Sequence, residues 1–148
     1  MNFEISSYFE DFKFVFSQIN KADLDNGINL ISKTIKNNKK IITCGNGGSS
    51  HTASHYITDW NKSYNLNHGK SIRGISLCDN QGLISAFGND LSYEDVFSGQ
   101  LKAIGDPQDL LIVVSGSGNS KNIIKVLLTA KEMGIISLGF LGYDGGEC

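Results

Sequence analysis

His51, His55 and Asp59 stand four residues apart, directly after the stretch CGNGGSS at 44–50. At about 100° per residue they share one side of a helix, away from a stripe of Ala53, Tyr56, Ile57 and Trp60. A histidine and a carboxylate at this spacing can share a divalent metal or cooperate in moving a proton. The same pattern also describes a polar face turned to water, and spacing alone leaves both readings open. Two protein ligands do not complete a zinc site, so metal chemistry would need donors from elsewhere.

Two loops have the composition of an anion cradle: GNGGSS at 45–50 and SGSGNS at 115–120. Glycines let backbone N–H groups approach an anion, serines add hydroxyls, and a following helix brings a partial positive charge. Neither loop ends in Gly-Lys-Ser/Thr and neither has GxGxxG spacing, which excludes the common nucleotide fingerprints. A glycine turn entering a helix would look the same. Two such loops after alternate strands point instead to a small phosphorylated molecule held by hydroxyls and amides. The pairs Asp79–Asn80 and Asn89–Asp90 read as capping or turn residues, the second pair just before a helix. Lys62, Lys70 and Arg73 read as surface charge, with Lys62 within reach of an anion from its helix end.

Positioning these residues falls to alternating strands and helices. The runs at 40–44, 72–77, 109–115 and 135–141 are β-rich, and the last two are apolar enough for parallel strands covered on both faces. Helices are expected over 49–62, once or twice within 80–104, and over 119–133 with Ile123, Ile124, Leu127 and Leu128 inward. Ser92 and Asp95 suggest a capping box ahead of Val96, Phe97 and Leu101. Before the first strand, Tyr8, Phe9, Phe12, Val15, Phe16 and Ile19 form one amphipathic helix. Asp23 caps a second, with Leu24, Ile28, Ile31 and Ile35 inward. The expected fold is α/β, a three-layer doubly wound parallel sheet in one domain over 1–148, with helices at 1–38 and the sheet core at 39–148. The lead-in is too apolar to stand alone, and the fourth run leaves an uncovered edge, so association with further copies is expected.

At 148 residues, 40% hydrophobic and 19% charged, the chain has the makeup of a soluble globular protein. Its net charge of −2 and pI near 5.9 argue against nucleic acid or an acidic membrane as partner. Cys44, Cys78 and Cys148 form no CxxC pair, which suits a reducing, cytoplasmic setting. The N-terminal segment has no basic start of the kind a signal peptide carries, and no apolar run has membrane-spanning length.

The segments CGNGGSSHTASHYITDW, SLCDNQGLISAFGND, SGSGNS and LGYDGG occur in an order that resembles the phosphoheptose isomerases of the sugar isomerase (SIS) domain superfamily. That resemblance implies a five-stranded parallel sheet, a homotetramer with active sites between subunits, and conversion of D-sedoheptulose 7-phosphate to D-glycero-D-manno-heptose 7-phosphate. The product would feed the heptose of lipopolysaccharide, capsules or other surface glycans. It further implies that Asn46, Gly47, Ser49 and Asp90 meet the sugar, and that Ser115, Ser117 and Ser120 hold the phosphate. His55 and Asp59 would ligate zinc, with Asp59 also the catalytic carboxylate. Three departures from the family pattern stand out. Asp59 occupies a position usually held by glutamate, one methylene longer. Gly116 replaces a common threonine. Family members continue past the position of Cys148 into a strand and a helix whose glutamine and histidine complete the site, so the chain is expected to lack them. A non-catalytic SIS-domain protein acting by protein contact, of the replication-initiator-associating type, or by sugar-phosphate sensing, is the alternative.

Overall fold

The computed structural model describes residues 4–148. Four parallel strands, β1 (Lys40–Gly45), β2 (Arg73–Ser76), β3 (Leu110–Ser115) and β4 (Ile136–Leu141), lie in the order β2-β1-β3-β4. Ile41 pairs with Leu110 and Gly45 with Val114, so the carboxyl ends of β1 and β3 finish level, side by side. These are the two strands that carry the glycine-serine loops. The chain leaves β1 toward β2 on one side and reaches β3 on the other, which makes the gap between them the switch point where open α/β sheets bind ligands.

Alternation along the strands builds two apolar layers. On one face Ile41, Leu110 and Ile112 pack with Leu30, Ile31 and Ile35 of α2 (Lys21–Lys36) and with Trp60 and Tyr64. On the other, Ile42, Cys44, Leu111 and Val113 meet Val96, Phe97 and Leu101, around α6 (Ser98–Ile104), and Ile123, Val126 and Ala130 of α7 (Lys121–Glu132). Each fully buried Ile, Leu or Val contributes about 1.5–3 kcal/mol, so this double layer supplies most of the folding drive.

The remaining helices are α1 (Ile5–Ser17), α3 (Gly48–Asp59), α4 (Asn65–His68) and α5 (Gln81–Asp90). Between α3 and α4 the chain runs through a π-helical turn, Trp60–Tyr64. There the Asn61 carboxamide donates to the Gly74 carbonyl at 3.0 Å and accepts from the Gly74 N–H at 3.2 Å, on the outer strand β2. A Cβ at position 74 would lie 2.8 Å from that carboxamide oxygen, so glycine lets Asn61 sit this close without a shift. At the amino end of the sheet, the Lys40 ammonium binds Asp106 and lies 3.1 Å from Asp109. Asp109, 1% exposed, also accepts from the backbone N–H groups of Lys40 and Asp106, both at 2.9 Å. The bond it donates to Asp106 holds the Lys40 ammonium above its ordinary range despite burial, and Lys40 holds the Asp106 carboxyl below its own.

Several expectations are corrected. The cap of α2 is Asn20, whose side chain accepts from the Ala22 N–H, and Asp23 lies in the first turn instead. Leu24 and Ile28 are exposed, as is Leu128 of α7, because each helix buries a narrower stripe than its apolar content suggests. Strand β4 is not covered on both faces: it is the open edge, with Ile136, Phe140 and Leu141 exposed. Ser92 is the N-cap of a 3-10 turn, Tyr93–Asp95, rather than of the helix holding Leu101, and its side chain makes no cap bond; its hydroxyl donates to the Asp95 carboxylate. Asn89 and Asp90 end α5 rather than precede a helix. Along α1 every apolar side chain from Tyr8 to Phe16 is exposed.

Candidate functional site

Loop 45–50 turns sharply out of β1 into α3. Gly47, the N-cap of α3, has φ +53 and ψ −123, a backbone state that glycine adopts and L side chains avoid. A Cβ at Gly45 would sit 2.7 Å from the Ser49 carbonyl, so the turn closes tightly on itself. The Ser49 N–H donates to the Asn46 carbonyl at 2.9 Å, and the Ser50 hydroxyl to the Gly47 carbonyl at 2.6 Å. Nothing lies within 4 Å of the space a Cβ would fill at Gly47 or Gly48, leaving the crest of this loop open.

Loop 115–120 has the same construction. Ser115 is buried and its hydroxyl accepts from the Gly118 N–H, while the Ser117 hydroxyl accepts from the Asn119 N–H, both at 3.2 Å. Ser120 is the N-cap of α7 and its side chain makes no cap bond.

An amide pair ties the first loop to the start of the helix that follows the second. Asn46 donates to the Asn122 carbonyl oxygen at 2.8 Å, and Asn122 donates back to Asn46 at 2.9 Å. The Tyr93 hydroxyl donates to the same Asn46 oxygen at 3.2 Å. Asn122 is buried in the first turn of α7, and its carboxamide uses its oxygen and one N–H in this pair. Sequence reading missed Asn122 and Tyr93. The signal for Asn122 was a carboxamide placed inside the apolar side of a helix, where it must find a partner.

His55 and Asp59 do meet on α3, with Nε2 and Oδ2 3.2 Å apart, and their side chains are 72% and 61% exposed. His51 does not join them; its Nδ1 lies 3.0 Å from the Gly47 carbonyl, within its own loop. The pair also stands away from the loops. Asp59 follows Ser49 by ten residues of helix, about 15 Å along the axis. Asp90 is exposed at the end of α5 and accepts from the Asn89 carboxamide. The level ends of β1 and β3 set the loop carrying Asn46, Gly47 and Ser49 beside the loop carrying Ser115, Ser117 and Ser120, while His55, Asp59 and Asp90 make no hydrogen bond to either loop among the described residues.

No three His, Cys, Asp or Glu side chains gather in a metal-holding group among the described residues. His55 and Asp59 offer two donors where zinc takes three or four from protein, so the described residues do not by themselves fit the ion. The thiols are not candidates for the chemistry. Burial pushes Cys44 well up, and it also raises Cys78, whose Sγ donates to the Gly45 carbonyl at 3.4 Å.

Comparison with known proteins agrees with this geometry. The SIS domain family model matches residues 7–142. The phosphoheptose isomerase of Helicobacter pylori (strain P12) is 40% identical over 124 residues, covering 84% of this chain and 64% of that protein. Phosphoheptose isomerase 1 of Campylobacter jejuni is 38% identical over 130 residues, covering 88% and 69%. The solved structure of a phosphoheptose isomerase from Francisella tularensis superposes with a TM-score of 0.89 at 25% identity, covering 97% of this chain and 76% of that one. The chain spans less than two thirds of the length of several curated relatives it matches. With its matched domain, its sheet order and its paired glycine-serine loops, the chain belongs to the SIS domain family and, within it, to the phosphoheptose isomerase family.

Proposed function

We propose that the protein is an aldose–ketose isomerase acting on sedoheptulose 7-phosphate to supply a heptose 7-phosphate for surface glycans. The observation that carries this reading is the level pair of loops at the switch point, locked by Asn46 and Asn122. Ser115, Ser117 and Ser120 receive the phosphate at the α7 terminus, and Asn46, Gly47 and Ser49 meet the near hydroxyls of the sugar. Isomerisation needs a base to take the proton from the carbon beside the carbonyl and an acid to return one to its neighbour. Asp59 is the carboxylate for this step, with His55 at 3.2 Å to orient it. Asp90 binds a sugar hydroxyl.

The distance of Asp59 from the loops favours a site completed between copies, as in a homotetramer, and the bare aromatic face of α1 supplies a surface for such assembly. Were zinc to bind, His55 and Asp59 would hold it as two donors, too few to retain the ion by themselves. The three free cysteines suit a cytoplasmic setting. No described helix is long and apolar enough to cross a membrane.

Asp59→Asn tests the assignment. Turnover of sedoheptulose 7-phosphate should fall by about 10³-fold, the scale of a lost general base, while sugar-phosphate binding measured by calorimetry persists. Unchanged turnover removes Asp59 from the chemistry. Binding without turnover in the unaltered protein would favour the sensor alternative.

A further inference from the structure

Behind loop 115–120 lies segment 142–148, GYDGGEC, which the functional reading leaves without a task. It is bonded to the loop along its length. The Gly142 N–H donates to the Ser115 carbonyl at 3.1 Å, the Cys148 N–H to the Gly118 carbonyl at 3.1 Å, and the Glu147 N–H to the Asn119 carboxamide oxygen at 3.0 Å. The two backbones also approach as closely as glycine allows. A Cβ at Gly118 would be 1.9 Å from the Gly145 carbonyl oxygen, and one at Gly142 would be 2.4 Å from the Gly116 carbonyl oxygen. One at Gly146 would be 2.6 Å from both the Ser117 carbonyl and the Asn119 side chain. Gly145 and Gly146 themselves take φ +87 and +59, and Tyr143 is held at φ +49 with its ring in solvent. A bulky residue keeps such a backbone only where its surroundings dictate it.

We propose that segment 142–148 is a clasp that sets the shape of the phosphate loop, with Gly142 and Asn119 as its positioning residues. This rests on the reading of loop 115–120 as the phosphate holder. A loop rich in glycine has many conformations of its own, and an anion site built from it must be fixed before the ligand arrives. The clasp does this through Ser115, Gly116, Gly118 and Asn119, each of which has a bond or a contact with it. Phosphate lies remote from the reacting carbons, so distortion of its holder weakens substrate and transition state alike. That signature raises KM and spares kcat.

Gly142→Ala tests the clasp, because the added methyl meets the loop at Gly116 and position 142 has no left-handed φ to strain. KM and the calorimetric Kd for sedoheptulose 7-phosphate should rise about tenfold with kcat within about twofold of the unaltered protein. Asn119→Ala, which adds no bulk, should give the same split to a smaller extent and decides the matter if the first variant folds poorly. A lowered Tm with unchanged KM in both variants would reduce the segment to a structural support and overturn the proposal. If the unaltered protein neither binds nor turns over the sugar phosphate, the functional reading falls and the clasp falls with it. If it does both and the variants match it, the clasp alone is wrong.

Discussion

The two ends of the sheet are built on opposite plans. At the amino end, charged side chains close on one another: Lys40 is held between two carboxylates, and Asp109 accepts from two backbone N–H groups as well. At the carboxyl end, glycines and hydroxyls predominate, charge is absent from both loops, and a neutral carboxamide pair ties the first loop to the start of the helix that follows the second. The closed end joins β1 to β3 permanently. The open end keeps the same two strands level while leaving small polar groups and backbone amides to meet an arriving anion. Stability and binding are thereby assigned to different termini of the same pair of strands.

Breaking the closed end should have the larger effect. Lys40→Met strands a buried carboxylate and should cost on the order of 3 kcal/mol in a urea titration, with sugar-phosphate affinity preserved in the folded fraction. At the open end, Asn122→Ala leaves Asn46 without its reciprocal partner. Sugar-phosphate Kd should rise about tenfold, with a smaller loss of stability on the order of 1 kcal/mol. Equal loss of both quantities in both variants would dissolve the contrast between the ends.

The smallest effect is read against pH. Because Lys40 titrates above its ordinary 10.5, its contribution is complete below that pH and fades as pH rises through the folded value. Because Asp106 titrates below its ordinary 3.8, its contribution is complete above that pH and fades as pH falls through the folded value. The stability difference between the unaltered protein and Lys40→Met should therefore be flat between these limits and shrink beyond each. A difference that varies near neutrality would place the pH response elsewhere.

Much of this architecture was legible because parallel strands write themselves as apolar runs, and the structure's strand bounds differ from the expected ones by a residue or two. The misreadings have physical causes. Apolar content along β4 cannot reveal whether a neighbour exists, so an edge strand read as a central one. Asn20 and Asp23 are both good caps, and only the backbone decides between them. At the site, i,i+4 spacing correctly joined His55 to Asp59, since it depends on one helix alone. The bond of Asn46 to Asn122 crosses 76 residues of sequence and depends on strand order, which no local pattern encodes. The same holds for segment 142–148, which enters the sequence reading only through the family resemblance and proves to be bonded to loop 115–120.

Asn61 gives the sheet a direction. By answering both polar groups of Gly74 with one carboxamide, it acts as a single-residue terminator on the β2 side. No such stop occurs along β4 among the described residues, so the sheet is a polymer with one blocked end and one live end. A strand added beside β4 would extend the sheet on the same side as the clasp. Disarming the stop with Asn61→Leu would offer a second point of growth, and the proper fold would then compete with edge-to-edge aggregation.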